Sequence, residues 1–265
     1  MSGGPPLDAL VRRALGAGVS DVRSEPLGAR GGVDRERFRF TSDGRERTVV
    51  FERLAPRHDL EAQLLPFLAR RTDRVPAVHA RGIPPPLVPA PKWLLVEDLV
   101  DAPSACDGDV GAILDAKLAV ERAVARDGPA LRALGVPERP PDAIAEEVAA
   151  AVAGEPGGDA VAAEVREAAR RLRRWPVALV HGGLGCASVV VADRGVVLRG
   201  WGAAHLGCAL LDVVRLVDEI VARGEAVLSI GLPRTYAERV GVVLPTEVLR
   251  GAEKLERLSR RYLLR

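Results

Sequence analysis

Lysine is nearly absent. The chain has 265 residues and 38 basic side chains, yet lysine occurs only at Lys92, Lys117 and Lys254. Arginine, alanine, glycine and proline are abundant, a bias that a GC-rich genome produces without functional pressure. Such a bias explains a lysine replaced by arginine. It does not explain a lysine replaced by glutamate. Aromatic residues are scarce at 3%, and the net charge is only +2. A nucleic-acid binder would show a basic stripe, often with stacking aromatics, so no nucleic-acid partner is expected. The three cysteines, Cys106, Cys186 and Cys208, are odd in number and widely spaced. No disulfide framework or C-x-x-C site is visible in that spacing. No apolar run approaches the roughly 20 residues of a membrane span, and residues 1–6 lack the basic-then-apolar pattern of a secretory signal. A cytoplasmic protein with no membrane partner is expected.

The apolar fraction is 48% and the charged fraction 28%, both ordinary for a soluble globular protein. The length suits one large domain or two lobes sharing a cleft. Residues 7–18 carry apolar positions at helical spacing. Residues 22–54 predict strands: Arg37-Phe38-Arg39-Phe40 alternates, Asp43-Gly44 is a turn signal, and residues 47–51 are β-rich. The cluster Gly28-Ala29-Arg30-Gly31-Gly32 reads as a flexible turn rather than a phosphate-cradling loop, for want of a lysine partner. Residues 57–71 predict a helix with Leu60, Leu64, Leu65 and Leu68 on one face. The proline-rich stretch 75–92 can hold only loops and short edge strands. Residues 93–96 form a short apolar run, and Glu97-Asp98 follow it. Residues 101–108 look like a link. Residues 109–174 are mainly helical, residues 177–201 return to short strands, and residues 209–225 and 245–262 are helical. A β-rich segment beside a helical body leaves a cleft between them, where ligands are favoured.

The segment Val180-His181-Gly182-Gly183-Leu184-Gly185-Cys186-Ala187-Ser188 precedes an apolar strand. A second strand ends in Arg199-Gly200-Trp201, and Gly207-x-x-x-x-Asp212 opens a helix. This pattern resembles the catalytic loop of the aminoglycoside phosphotransferases. There the loop reads His-Gly-Asp-x-x-x-x-Asn, and the second strand ends in Asp-Trp or a similar pair. Residues 47–54 resemble that family's strand bearing the phosphate-binding lysine, residues 93–99 resemble the inter-lobe strand, and the segment from Tyr236 to Arg261 resembles the closing helices. The resemblance implies an α+β, two-lobed, protein-kinase-like fold. Residues 1–100 would form a small β-rich lobe with one helix, and residues 101–265 a larger, mainly helical lobe.

In that family the loop aspartate takes the proton of the attacking hydroxyl. The asparagine and the second aspartate hold Mg²⁺ against the phosphates, whose charge must be neutralised. Here the framework is kept: His181, Trp201, Asp212 and the helix acid Glu61 stand at their family positions. The chemistry is not kept. Gly183 stands at the base aspartate, Ser188 and Gly200 at the metal ligands, and Glu52 at the lysine. Arg53 should point out of the cleft, because neighbours on a strand face opposite ways. Glu52 beside Glu61 would be a like-charge pair. Val96, Glu97, Asp98 and Leu99 would be the hinge whose backbone receives adenine in the family. His181 and Asp212 read as loop-shaping residues, and Glu97-Asp98 as a hinge marker rather than a catalytic dyad.

The resulting expectation is a pseudoenzyme that acts by binding a partner protein, a peptide or a small molecule in the inter-lobe cleft, with no cofactor and no metal. One alternative is an active small-molecule phosphotransferase using ATP or GTP with Mg²⁺, with Asp193, Asp212, Asp218 or Glu52 as substitute groups. A second alternative is a zinc site built from His181, Cys186, His205 and Cys208, residue types that suit tetrahedral zinc. Buried structural roles for those four are the favoured reading.

Overall fold

The computed structural model describes residues 7–16, 18–30, 33–84, 90–224 and 231–263. Its N-terminal part is an antiparallel sheet of five strands: β1 (Val19–Arg30), β2 (Val33–Ser42), β3 (Arg45–Arg53), β4 (Val78–Gly82) and β5 (Trp93–Glu97). They lie side by side in the order β1-β2-β3-β5-β4. Successive side chains of a strand face opposite sides, and β3 uses both. Val49 and Phe51 pack with Val11, Phe38, Phe40 and Leu95 beneath helix α1 (Leu7–Leu15). Val50 packs with Leu64, Leu65, Leu94 and Val96 against helix α2 (Glu61–Ala69) on the other face. The same alternation puts Glu52 on the α2 side and leaves Arg53 exposed.

Pro66 sits inside α2 and cannot donate to the carbonyl of Ala62. Arg81 Nη1 takes that carbonyl instead, at 3.4 Å. The expected glycine-rich turn is corrected in part. Gly28 and Ala29 are paired within β1, opposite Arg35 and Asp34, and the register is irregular between Pro26 and Gly28. Gly28 has φ +71°, which a bulge of this kind demands and glycine supplies without strain. Residues 31 and 32 lie outside the described residues, as do residues 85–89 of the proline-rich stretch.

The C-terminal part is built on helices α3 (Val110–Val124), α4 (Gly128–Ala133), α5 (Pro141–Ala151), α6 (Gly158–Leu172), α7 (Leu210–Ala222), α8 (Leu232–Arg239) and α9 (Thr246–Leu263). The prolines that break the sequence pattern start helices: Pro129 and Pro141 sit in first turns, where a missing N–H costs nothing. Asp109 caps α3, its Oδ1 accepting from Gly111 N at 2.8 Å and Ala112 N at 3.3 Å. Strands β6 (Glu138–Arg139), β7 (Val177–Val180) and β10 (His205–Cys208) form a small sheet in the order β6-β10-β7, and β8 (Val189–Ala192) pairs with β9 (Gly195–Leu198). No helix among the described residues is long and apolar enough to cross a membrane.

The cysteine spacing misleads. Cys106 and Cys186 form a disulfide with their Cα atoms 5.5 Å apart, although 80 residues separate them in sequence. Folding brings a short 3-10 turn after the linker (Ala105–Asp107) against the segment that follows His181, a proximity that sequence distance cannot report. Both partners are buried. Cys208 is the free thiol, also buried, and loss of solvent pushes its pKa up to about 12. A bridge closing so long a loop restricts the unfolded chain and contributes about 2–4 kcal/mol. Urea unfolding with reductant should therefore show a lower midpoint than unfolding without it. A thiol count in denaturant without reductant should find Cys208 alone; three reactive thiols there would mean that the bridge does not form.

Candidate functional site

A cleft of about 370 Å³ lies between the five-stranded sheet and the helical body. It is lined from above by Arg35, Val50, Glu52, Glu61 and Val96 and from below by Gly183, Ser188, Arg199, Gly200 and Arg215. The residues that the sequence analysis places at the family's lysine, base and metal positions therefore converge on one cavity. No lysine lines it. Lys92 pairs with Asp59 at 2.9 Å, Lys254 pairs with Glu164, and Lys117 is buried in the helical body.

The loop after β7 is held by Asp212, in the first turn of α7 and 2% exposed. Its carboxylate accepts from His181 N at 2.7 Å, Gly182 N at 3.0 Å and Lys117 Nζ at 3.2 Å. These donors keep it ionised, with a pKa below the usual carboxylate value although burial acts the other way. Lys117 also pairs with Glu121, which accepts from the Tyr236 hydroxyl at 2.9 Å. His181 is buried and neutral: desolvation brings its pKa down to about 4. Its Nδ1 accepts from Gly183 N at 3.2 Å, so Nε2 carries the proton and donates to Arg199 O at 3.1 Å. The ring also lies against Trp201, centroids 4.5 Å apart. His181 and Asp212 both bond to the backbone of this part of the chain.

Ser188 is occupied within its own loop. Its hydroxyl accepts from Gly185 N at 2.9 Å and lies 2.8 Å from Gly185 O. Gly183 and Gly200 present no side chain, although there is room for one. A Cβ on Gly183 would come no closer than 3.8 Å to His181, and one on Gly200 would meet nothing within 4 Å. Gly200 has φ +83°, a region that asparagine and aspartate tolerate better than other side chains.

Glu61 is a backbone anchor. Its Oε1 accepts from Trp201 N at 2.8 Å. Burial and the neighbouring Glu52 raise its pKa to about 8, against the opposing pull of the Trp201 and Gly200 amides. Glu52 is likewise raised by burial, moderated by Arg35 and Arg199. The expected like-charge pair is therefore relieved by protonation as well as by the two arginines.

Glu97 and Asp98 are engaged elsewhere. Arg194 grips Glu97 with both terminal nitrogens, and Arg37 Nε lies 2.7 Å from Asp98. Each acid is thus paired with its own arginine, and the two do not share a site as a carboxylate dyad. Leu99 O accepts from Arg199 Nη1 at 2.8 Å, and Val100 N donates to Asp98 at 3.2 Å. Arg199 was not singled out from the sequence. It stands beside the vacant Gly200, and an exposed-looking arginine after a strand carries no signal of its own. The zinc alternative is corrected: Cys186 is spent in the disulfide, and no group of three or more metal-ligating side chains occurs among the described residues.

A sheet with one helix, a linker, and a helical body carrying a His-Gly loop before a β-hairpin define the two-lobed fold of the aminoglycoside phosphotransferases. Solved structures agree with this. The chain is similar to the aminoglycoside phosphotransferase APH(3'')-Id from Streptomyces rimosus, with TM-score 0.56 and 16% identity over 96% of this chain and 97% of that one. It is similar to an aminoglycoside-3'-phosphotransferase of type VIII, with TM-score 0.60 and 19% identity over 95% and 97%. A third match is a putative aminoglycoside phosphotransferase from Ralstonia eutropha, with TM-score 0.56 and 13% identity over 96% and 97%. Likeness at such identity establishes the fold. No protein-family model and no curated protein matches the chain.

Glu61 gives the site a pH signature. In the unfolded chain it ionises near 4.5, in the folded protein near 8. Between those values the unfolded state releases a proton that the folded state keeps, so the contribution of Glu61 to stability falls as pH rises and levels off above about pH 8. Glu61→Gln keeps an acceptor for Trp201 N and has nothing to ionise. The stability of the parent relative to this variant should decline across that window. A pH-independent difference would place the Glu61 pKa in the ordinary range.

Proposed function

We propose that this protein is a phosphotransferase-fold pseudoenzyme whose cleft binds a small molecule, peptide or partner protein without transferring phosphate. One observation carries the reading: the four chemical positions share a cleft in which none offers what phosphoryl transfer requires. A glycine can neither accept a proton nor hold Mg²⁺. The Ser188 hydroxyl is tied into its loop, and a glutamate replaces the lysine. The engagement of Leu99 O and Val100 N adds support, since a hinge receives adenine through free backbone groups. The substitute groups serve the active alternative poorly. Asp212 is fully committed, Asp218 pairs with Arg260, and Asp193 does not line the cleft. Only Glu52 reaches it.

Calorimetry with Mg·ATP and Mg·GTP should give no binding heat, and a panel of hydroxyl substrates should show no phosphate transfer. Turnover that disappears in a Glu52→Gln variant would overturn the proposal. A combined variant, Glu52→Lys, Gly183→Asp, Ser188→Asn and Gly200→Asp, should gain Mg²⁺-dependent nucleotide binding, because a Cβ at 183 or 200 meets no close neighbour.

A further inference from the structure

The most voluminous cavity described is not the cleft. A pocket of about 510 Å³ lies on the helical body between α3, α4, β7 and α8, and it shares no lining residue with the cleft. Its walls are apolar: Leu118, Val124, Leu131, Trp175, Leu206 and Val240. One side is stiffened by Trp175 stacked on Tyr236, ring planes 21° apart and centroids at 6.4 Å. Its polar floor is already satisfied, since the Glu121 carboxylate is met by Tyr236 and Lys117. A ligand entering the pocket therefore meets hydrocarbon and two aromatic rings, without an unpaired acid.

The mouth has the opposite character. Three arginines stand there: Arg122, Arg132 and Arg239. Arg132 pairs with Glu138, and Arg239 pairs with Asp115. Arg122 reaches across from α3 to donate to Arg239 O at 3.3 Å, and it has no carboxylate partner among the described residues. Beside them Val177 is 69% exposed, so apolar wall continues to the rim. An apolar cavity of this size with a few polar groups at its entrance is the usual anatomy of a small-molecule site. The geometry points to an amphipathic acid as the occupant: an apolar chain or ring seated between Leu131 and Trp175, and a carboxylate or sulfonate head on Arg122. The charge at the mouth selects an anion over a cation, and the apolar walls select a hydrocarbon body over a sugar or nucleotide.

Decanoate below its micelle concentration, titrated by calorimetry into the intact protein, should bind saturably and raise the thermal midpoint. It should also displace anilinonaphthalene sulfonate. Decyltrimethylammonium, of equal chain length and opposite charge, should bind at least about tenfold more weakly, the scale of one charge-assisted hydrogen bond. Arg122→Glu should weaken decanoate by a similar factor, whereas Arg126→Glu, an exposed neighbour that does not line the pocket, should leave it unchanged. Ala125→Trp, which places a ring over the pocket from an exposed lining position, should abolish binding while the parent's thermal midpoint is retained. Absence of saturable decanoate binding overturns the proposal. So does equal affinity for the cationic amphiphile, or binding that survives both Arg122→Glu and Ala125→Trp.

Discussion

A carboxylate with almost no exposure must be met by donors or give up its charge, and the structure is organised around meeting that of Asp212. Two backbone amides of the His181 loop and the Lys117 ammonium converge on it. Removing one member would leave a buried charge uncompensated, a loss on the order of 3–5 kcal/mol. Lys117 is shared with Glu121, and Glu121 with Tyr236, so α3, α7 and α8 are joined to the loop through a single polar cluster. That cluster requires the loop's backbone amides. It asks nothing of the side chain at 183, so the frame of this loop does not depend on which residue stands there.

The upper wall of the cleft follows a second constraint. Strand alternation sends Glu52 to the same side as Val50, and α2 brings Glu61 to the same cavity. Two acids in a poorly solvated space cannot both ionise at little cost. The fold answers with arginines around Glu52 and with amides at Glu61. The amide of Trp201 belongs to the lower lobe, so Glu61 also fastens the two lobes to each other.

Much of this was legible in the chain. The alternation around Phe38 and Phe40, the leucine face of α2, and the His-Gly loop with its distant Asp212 announce the sheet, the helix and the anchored turn. All three rest on local periodicity or on spacing within one motif. What escaped depends on contacts between distant segments. The Cys106–Cys186 bridge joins residues 80 apart. Strands β6 and β10 are too short to show a period, and β10 exists through its pairing with β7 and β6. The reach of Arg199 to Leu99 O crosses from one lobe to the other. At Gly28 and Ala29 the expected turn is strand, because a bulge within a strand and a turn draw on the same residue type.

The glycines of the loop differ in what they tolerate. Gly182 has φ +76°, and a Cβ there would come within 2.1 Å of Ala203 O; the fold itself forbids another residue. Positions 183 and 200 carry no comparable steric conflict. The surroundings therefore constrain residue identity far more tightly at 182 than at 183 or 200. The His-Gly turn is therefore a requirement of folding, and its presence carries no information about turnover in either direction.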